Sequence, residues 1–423
     1  MFWRWKLRGP NSVDTTIEIQ PVTGGPSKTL VSEASLPTSS TLACGELGGC
    51  LCWVTDWNFV FTVADGSESA SRVPKTSLWK VHVNADHGSP SQKPRRFAQW
   101  ADFLPSSMTT TTDGKTLAFI KAKYNQNAYV GDLDRGFDTL SALRRFTLDN
   151  HDSYPQAWTQ DSRGLLFVSN RNGTLELFKQ GLNNIVPERI VSSAAGEVGG
   201  GNGLSPDGSW ILYWQIVRSE SKSPPSSARL IRQPAVGGPP ETVIELPYSV
   251  GLDTDFFCPQ KPGKLCVLNA WEGNTLAFYA LDPARGKGDV LGKIGVQRNF
   301  ALGWAVSPDG AQLAVVDHGH KCRIEILNLF SRTWHEIAVD PGWGDYQSVA
   351  WTADGKGFFL TTWLPESFEL VHVTLSGKVQ LLLNNVHRQY MSRPLPSPDG
   401  KHLAFQAQTV DSNAWILENF SGR

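Results

Sequence analysis

The stretch that decides the fold is Ser307-Pro308-Asp309-Gly310, which separates two short apolar runs, 302–306 and 312–316. Pro308 restricts φ for a tight turn, and Asp309 can accept hydrogen bonds from nearby backbone. Gly310 can take the positive φ that closes a hairpin. The stretch therefore predicts two antiparallel strands joined by a turn.

The same turn recurs along the chain at a nearly constant spacing. Ser-Pro-Asp-Gly returns at 205–208 and 397–400, and weaker forms with an aspartate stand near positions 113, 161 and 354. Pro262-Gly263 and a degenerate stretch at 55–58 take the same place in two more units. The step from turn to turn is 45 to 57 residues, the size of one four-stranded β-propeller blade. Such blades cannot bury both faces alone, so they must pack on neighbours around an axis.

We predict an all-β protein, a β-propeller of about eight four-stranded blades, with seven blades as the alternative. Residues 1–13 are expected to form a tail and residues 14–420 a single propeller domain. Residues 14–33 contain two strand-like runs, and the last unit supplies only three strands. The N-terminal run is therefore expected to complete the last blade and close the ring. The predicted blades cover residues 42–100, 101–148, 149–193, 194–246, 247–295, 296–339, 340–386 and 387–420.

Composition limits the function classes. The 423 residues contain 39 Lys and Arg against 40 Asp and Glu, so no overall charge attracts nucleic acid or acidic membranes. No apolar run reaches the roughly 18 to 20 residues of a membrane span. The aromatic and basic start at 1–8 lacks the apolar core of a signal peptide. We expect neither a nucleic-acid partner nor a membrane span in this chain.

Two groups of cysteines differ in what they predict. Cys258 and Cys266 flank the Pro262 turn symmetrically, so they are expected to lie within disulfide reach across a hairpin. Cys44, Cys50 and Cys52 lack the paired C-x2-C spacings of a zinc site, and buried or disulfide-bonded cysteine is the better interpretation. The redox compartment stays open at this point.

The repeats also resemble a known family. Ser-Pro-Asp-Gly followed by Leu-Ala-Phe or Leu-Ala-Val resembles the TolB-type (PD40, WD40-like) propeller repeat over about residues 40–420. Stretches 131–149, 157–173 and 412–420 resemble more narrowly the C-terminal propeller of bacterial, especially acidobacterial, serine/threonine kinases and winged-helix regulators. The resemblance implies a sensory propeller in the extracytoplasmic (periplasmic) space, with an upstream kinase or winged-helix domain. A cytoplasmic location is the alternative.

Signatures of several enzyme classes are missing. Gly-Leu-Ser-Pro-Asp at 203–207 lacks the second glycine of a hydrolase nucleophile elbow and is explained as a blade turn. The stretch 335–339 has no second histidine for a zincin, and 24–29 lacks the glycine before lysine of a P-loop. No His-Arg-Asp or Asp-Phe-Gly kinase motif is present. We expect no kinase, NTPase or serine hydrolase activity, and no cofactor.

The loops that enter each innermost strand form the channel mouth, where propellers bind ligands. In this chain they carry aromatic side chains beside carboxylates, which can grip a peptide, a sugar or a small polar ligand. For any single residue, packing between blades or capping of a turn is the simpler explanation. The candidate ligand-binding residues are His151, Asp152, Tyr154, Asp253, Asp255, Trp343, Asp345, Tyr346 and Tyr390.

A second, minor candidate is a metal site in 317–322. If this stretch is extended, His318, His320 and Cys322 share one face, and imidazole with thiolate suits zinc or copper. A fourth ligand is not visible, so a polar loop is the better interpretation.

The preferred function is therefore a non-catalytic sensor or interaction module that binds a protein, peptide or small ligand at the channel mouth. The alternative is a propeller-fold lyase or glycan-active hydrolase with its site in the same mouth. A channel-facing histidine beside a carboxylate would favour the enzyme, and dispersed polar groups would favour binding.

Overall fold

A computed structural model of the chain describes most of its length. The described residues are 2–9, 12–37, 40–42, 50–55, 57–65, 75–84, 88–100, 103–201, 203–218, 225–248, 254–259, 265–296, 302–317, 322–343, 345–364, 367–385 and 390–420. Strands and tight turns dominate, with single-turn 3-10 helices at Glu33–Ser35, Ser193–Ala195 and Pro341–Trp343. Within these ranges, no helix has the length and apolar character needed to cross a membrane. The all-β prediction is confirmed.

The strands follow in chain order. The first seventeen are β1 (Phe2–Gly9), β2 (Ser12–Ile19), β3 (Lys28–Ser32), β4 (Ser40–Leu42), β5 (Leu51–Trp53), β6 (Asn58–Asp65), β7 (Lys75–His82), β8 (Arg95–Trp100), β9 (Leu104–Thr110), β10 (Thr116–Leu133), β11 (Leu140–Arg145), β12 (Ser153–Trp158), β13 (Gly164–Ser169), β14 (Glu176–Gly181), β15 (Glu188–Val191), β16 (Glu197–Val198) and β17 (Gly203–Leu204). The rest are β18 (Trp210–Arg218), β19 (Pro225–Pro234), β20 (Glu241–Pro247), β21 (Phe256–Phe257), β22 (Cys266–Glu272), β23 (Thr275–Asp282), β24 (Gly286–Gly295), β25 (Leu302–Val306), β26 (Gln312–Asp317), β27 (Arg323–Asn328), β28 (Trp334–Ala338), β29 (Asp345–Trp351), β30 (Gly357–Trp363), β31 (Phe368–Thr374), β32 (Val379–Asn385), β33 (Met391–Pro396) and β34 (His402–Glu418).

The strands are grouped into two compact units. One contains Met1–Tyr124 with Val410–Arg423, called here the N-terminal unit, and the other, the propeller unit, contains Asn125–Thr409. Strands β10 and β34 are long enough to belong to both. The expectation that residues 14–420 form one domain stays a prediction, because this division describes packing and not cooperative unfolding.

The propeller unit consists of six antiparallel sheets among its described residues. Five contain consecutive strands: β12–β15, β16–β20, β21–β24, β25–β28 and β29–β32. The sixth combines β33, the first half of β34, the second half of β10, and β11. Each sheet therefore has the four-stranded form of a blade, and β16 and β17 share the innermost place in theirs.

Buried apolar clusters join each sheet of this unit to the next. Pairs that represent the six junctions are Val130 with Phe167, Leu166 with Tyr213, Trp214 with Leu268, Phe278 with Trp304, Ile326 with Phe358, and Phe359 with Phe405. The last pair connects β29–β32 to the sheet of β33 and β34, so the packing order is cyclic. Burial of each large apolar side chain stabilises the unit by about 1.5 to 3 kcal/mol.

The repeated turn has the chemistry that the sequence indicates. In the turn at 307–310, the Ser307 hydroxyl donates to Asp309 Oδ1 at 2.6 Å and accepts from the backbone N–H of Gln312 at 2.9 Å. Gly310 has φ +71° and donates to the Ser307 carbonyl. The corresponding hydroxyl–carboxylate bonds are Thr111 to Asp113, Thr159 to Asp161, Ser205 to Asp207, Thr352 to Asp354, and Ser397 to Asp399.

One blade uses a disulfide at this place. Cys258 and Cys266 are bonded, with 4.1 Å between their Cα atoms, which confirms that they lie within disulfide reach. Cys258 comes directly after Phe257, which forms the last strand pair of its hairpin with Val267. Ser307 has the same position, directly after Val306, which forms the last strand pair with Leu313. The disulfide therefore stands where the other blades have the hydroxyl–carboxylate clamp.

Among the described residues, the eight predicted blade ranges correspond to seven sheets with four strands in a row, the number given as the alternative. Residues predicted as separate blades at 101–148 and 387–420 share one sheet, in which β10 pairs with β34. The cause is that β10 continues unbroken over 18 residues where two strands were expected. One sheet lies within or close to each of the six other predicted ranges, and the one near 42–100 is in the N-terminal unit.

The predicted closure of the ring by residues 14–33 also needs correction. Strands β2 and β3 pair with each other, and β2 pairs with β1, in a three-stranded sheet of their own. The apolar face of this sheet, with Ile17 and Val31, packs against Phe59 and Phe61 of β6. The N-terminal strands are therefore buried against β6 and do not join the last predicted blade. In that blade, β34 pairs with β10.

Candidate ligand-binding channel

A cavity of about 380 Å³ lies in the propeller unit, where its innermost strands meet. Residues from β12, β17, β21, β25, β29 and β33 line it, so all six blades contribute. Twelve of the 32 described lining residues are aromatic or proline. These side chains include Pro155, Trp158, Phe256, Phe257, Trp304, Pro308, Trp351, Pro394, Pro396 and Pro398.

Few ionisable groups face this cavity. Among its described lining residues, the side chains that can titrate are Asp255, Tyr390 and Arg393. The lining also contains the amides of Gln156, Gln160 and Gln347. A small set of polar groups on an apolar wall is typical of a ligand site.

Three adjacent innermost strands carry a β-bulge at the polar residues. In β12 the register shifts at Gln156, in β29 it shifts at Gln347, and in β33 it shifts at Arg393 and Pro394. A bulge leaves a residue out of the ladder and re-aims its side chain, and such features concentrate next to functional sites. Arg393 also has a φ of +54°, which is uncommon for a residue with a side chain.

The Arg393 side chain reaches well into the channel. Its Nη1 donates to Gln156 Oε1 at 3.2 Å. Its Nη2 would lie 3.5 Å from a Cβ added to Gly200, which precedes β17. The guanidinium thus extends from β33 to the glycine loop of another blade, and Arg393 remains exposed.

Asp255 faces the same region and is closely enclosed. Its Oδ1 accepts from the backbone N–H of Phe256 at 2.9 Å, and its own N–H donates to Asn269 Oδ1. A Cβ on Gly201, where φ is +68°, would lie 1.9 Å from Asp255 Oδ1, so only glycine fits there. Burial raises the pKa of the Asp255 carboxyl, and the positive charge of Arg393 opposes that rise.

Gln347 and Tyr346 add unpaired polar atoms to the neighbouring strand. The Gln347 Nε2 and the Tyr346 hydroxyl are both closed off from solvent without a hydrogen-bond partner. Burial raises the pKa of Tyr346 above its usual range. Buried polar atoms without partners are rare and ask for an explanation.

Two of the nine candidate residues from the sequence line the cavity, namely Asp255 and Tyr390. Asp152 has a structural role, because its Oδ1 accepts from the backbone N–H of Gln126 at 2.9 Å. His151 is exposed, with Nδ1 3.7 Å from Asp149 Oδ1. None of these contacts places His151 or Asp152 at the cavity.

The aromatic candidates other than Tyr390 pack into the sheets. Tyr154 and Tyr346 are buried, and Trp343 packs against the cluster that contains Tyr346. Asp345 begins β29 and pairs with Trp363 through the backbone. Asp253 lies outside the described residues. A ligand site formed by the nine candidates therefore stays a prediction.

The metal candidates are described only in part. His318 and His320 lie outside the described residues. Cys322 has a free thiol and a φ of +68°. Where the structure describes the chain, no group of three or more metal-ligating side chains occurs.

Sequence reasoning missed Gln156, Gln347 and Arg393. A signal existed for two of them, because Pro155 and Pro394 stand beside Gln156 and Arg393 inside innermost strands. Proline cannot donate to the ladder and often marks a bulge. Gln347 has no such neighbour, and its bulge becomes visible only from the pairing of β29 with β30.

Comparison with known proteins gives structural relatives only. No protein-family model and no curated protein sequence matches the chain. The structure of putative TolB from Agrobacterium tumefaciens aligns with a TM-score of 0.51 at 15% identity, covering 68% of this chain and 99% of that one. TolB from Acinetobacter baumannii gives 0.48 at 14% identity, covering 78% and 80%. The oligogalacturonate lyase from Vibrio parahaemolyticus gives 0.42 at 14%, covering 78% and 96%. The protein has the fold of a TolB-like β-propeller.

Proposed function

We propose that this chain is a non-catalytic ligand-binding β-propeller, a sensor or interaction module whose site is the channel of the propeller unit. The observation that carries the proposal is the cavity of about 380 Å³ to which all six innermost strands contribute. Its volume falls in the range of about 300 to 1,000 Å³ that is usual for small-molecule sites. It suits a small ligand or the end of a peptide.

The polar groups of the cavity favour binding over catalysis. A lyase or hydrolase would need an acid–base pair within reach of a common point. Among the described lining residues there is no histidine, and the half-buried Asp255 carboxyl lies in the electrostatic field of Arg393. The described part of the lining offers no such pair, and for this reason we prefer the binding module.

The cysteines support the extracytoplasmic location implied by the family resemblance. Cys258 and Cys266 are bonded to each other, and Cys50 is also disulfide-bonded. Disulfides persist in oxidising compartments such as the periplasm. A protein, peptide or small ligand from that compartment is the expected partner, and signalling through an upstream kinase or winged-helix domain remains part of the proposal.

Two half-exposed aromatic residues give a matched test. Tyr390 and Trp363 both pack against Phe368, but only Tyr390 lines the cavity. We would screen acetylated peptide acids, peptide amides and neutral sugars by ligand-observed NMR. Tyr390→Ala is expected to weaken binding of any hit by about 1 to 3 kcal/mol, and Trp363→Ala to leave it unchanged. No hit in any class, or equal losses in both variants, would contradict the proposal.

A further inference from the structure

We propose that the channel selects ligands that have a carboxylate on an apolar body. Arg393 binds the carboxylate, and the negative charge of Asp255 competes with the ligand for Arg393. This inference rests on the proposed function and names the ligand class of the same site. Peptide C-termini and apolar organic acids both have this chemistry.

The Arg393 guanidinium has N–H donors that its described hydrogen bond does not use. A guanidinium offers five N–H donors in a planar fork that matches a carboxylate. The described hydrogen bonds of Arg393 use Nη1, which donates to Gln156 Oε1 at 3.2 Å. The residue is exposed at the cavity, so its fork can receive a second acceptor.

The backbone at Arg393 has an uncommon conformation. A non-glycine residue at positive φ, here +54°, is destabilising, and such residues cluster at functional sites. The bulge at Arg393 and Pro394 lies opposite a single residue of β34 and turns the side chain into the channel. Gly200 leaves space for the guanidinium, because a Cβ added there would lie 3.5 Å from Arg393 Nη2.

Asp255 supplies the competing charge. Its carboxylate is held by the N–H of Phe256 and pressed against Gly201, and it interacts electrostatically with Arg393. The same enclosure argues against Asp255 as the receptor for a cationic ligand, because little space remains around Oδ1. A ligand carboxylate at Arg393 would therefore compete with the negative charge of Asp255 for the field of the guanidinium.

The rest of the lining determines which ligand body fits beside the carboxylate. Trp304, Phe256 and Trp351 form an apolar lining, and the described lining contains no cation besides Arg393. Gln347 has a bulged position like that of Arg393 and belongs to the same lining. One anionic head on an apolar chain matches this distribution.

The test compares acids with their uncharged amides. The probes are acetyl-Ala-Phe with a free carboxyl group and its C-terminal amide, for the peptide source, and hexanoate and hexanamide, for organic acids. Charge-assisted hydrogen bonds lead us to expect each suitable acid to bind wild-type protein about ten- to a hundredfold more tightly than its amide. If the peptide acid and its amide differ in affinity, the ligand is a peptide C-terminus; if hexanoate and hexanamide differ, it is an organic acid.

Two variants must then change acid binding in opposite directions. Arg393→Gln is expected to reduce the affinity for the acid to that for the amide. Asp255→Asn is expected to tighten acid binding several-fold and to leave the amide unchanged, because the competitor loses its charge. If Arg393→Gln fails to fold, the effect of Asp255→Asn and the comparison of acid with amide in the wild-type protein still test the inference.

The outcomes separate the two proposals. Equal binding of acid and amide, absence of binding by both acids, or weaker acid binding in Asp255→Asn overturns the carboxylate inference. If other members of the screened panel still bind in the channel, the proposed function survives that result. If no panel member binds at all, the proposed function fails as well.

Discussion

The two ends of the channel in the propeller unit are built on different principles. At one end, called here the turn end, the walls include Ser205, Pro308 and Pro398 of the repeated turns. At the other, called here the polar end, they include Asp255 and Arg393, with Tyr390 and Gln347 beside them. The turn end repeats one local solution, whereas the polar end has a different residue in each blade.

Their energetics differ in the same way. Each hydroxyl–carboxylate turn satisfies its own backbone groups, as Ser307 and Asp309 do for Ala311 and Gln312. The polar end combines a positive φ at Arg393, an enclosed Asp255 whose pKa is raised, and further along β29 a buried Gln347 Nε2 without a partner. Such features lower stability and persist where function requires them. The comparison is consistent with a structural role for the turn end and with the ligand binding that we propose for the polar end.

The largest expected effect concerns the disulfide at the turn end. The double variant Cys258→Ser, Cys266→Ser removes the clamp of its blade and is expected to lower the free energy of unfolding by about 2 to 4 kcal/mol. Cys322→Ser, at a free thiol of the described chain, serves as the control and should stay within about 0.5 kcal/mol. Denaturant unfolding under oxidising conditions measures both. Equal stability of the double variant and the wild-type protein would show that the disulfide does not stabilise its blade as the hydroxyl–carboxylate turns do.

A smaller loss is expected at a hydroxyl clamp. Ser307→Ala deletes one donor and leaves the partly buried N–H of Gln312 without its side-chain acceptor, so we expect a loss of about 1 to 2 kcal/mol. Ser331→Ala, which removes an exposed hydroxyl bonded to Thr333 in the same blade, is the matched control. Thermal and denaturant unfolding should rank the two. A loss as small as that of the control would mean that the turn does not depend on its hydroxyl.

The polar end should respond with the opposite sign. Burial raises the pKa of Asp255, so the folded state binds its proton more tightly and loses stability as pH rises above the unfolded pKa of about 4. Asp255→Asn is therefore expected to stabilise the protein by about 0.5 to 2 kcal/mol at pH 7. The gain should vanish as pH falls below about 4, where both states hold the proton. A loss of stability at pH 7 would show that the charged carboxylate is structural.

The smallest effect is the pH response of the turn aspartates. Hydrogen bonds from Thr159 and Ser205 lower the pKa of Asp161 and Asp207. Their contribution is present above the unfolded pKa and is lost as pH falls through the lower folded pKa, below about pH 4. Asp207→Asn should cost about 0.5 kcal/mol or less at pH 7, since the group is largely solvated, and less still at pH 3. A stabilising effect at pH 7 would reverse the contrast with Asp255.

The two ends also differ in how far the sequence predicts them. The turn end follows from local chemistry, since Ser307-Pro308-Asp309-Gly310 needs only its own residues to form the turn. The disulfide of Cys258 and Cys266 was accessible for the same reason, because the symmetric spacing spans one hairpin.

Long-range pairing limited the rest of the prediction. The partner of β34 is β10, nearly 300 positions earlier in the chain, and no local pattern indicates that the two share a sheet. The bulges at Gln156 and Gln347 are properties of two strands and their register, so hydropathy and turn signals do not reveal them. Asp255 was found from the sequence because it is a carboxylate near a strand start, while its Arg393 partner required the structure.

Arg393 allows the most direct test of the contrast between the two ends. Asparagine tolerates positive φ better than arginine, so Arg393→Asn relieves backbone strain and removes the guanidinium in one step. The measurement is the unfolding free energy of this variant together with its affinity for whichever probe acid binds the wild-type protein. The expected result is stability equal to or above wild type, with acid binding weakened about tenfold or more. A variant that loses stability and retains acid binding would show that Arg393 is a structural residue and that the polar end is not the ligand site.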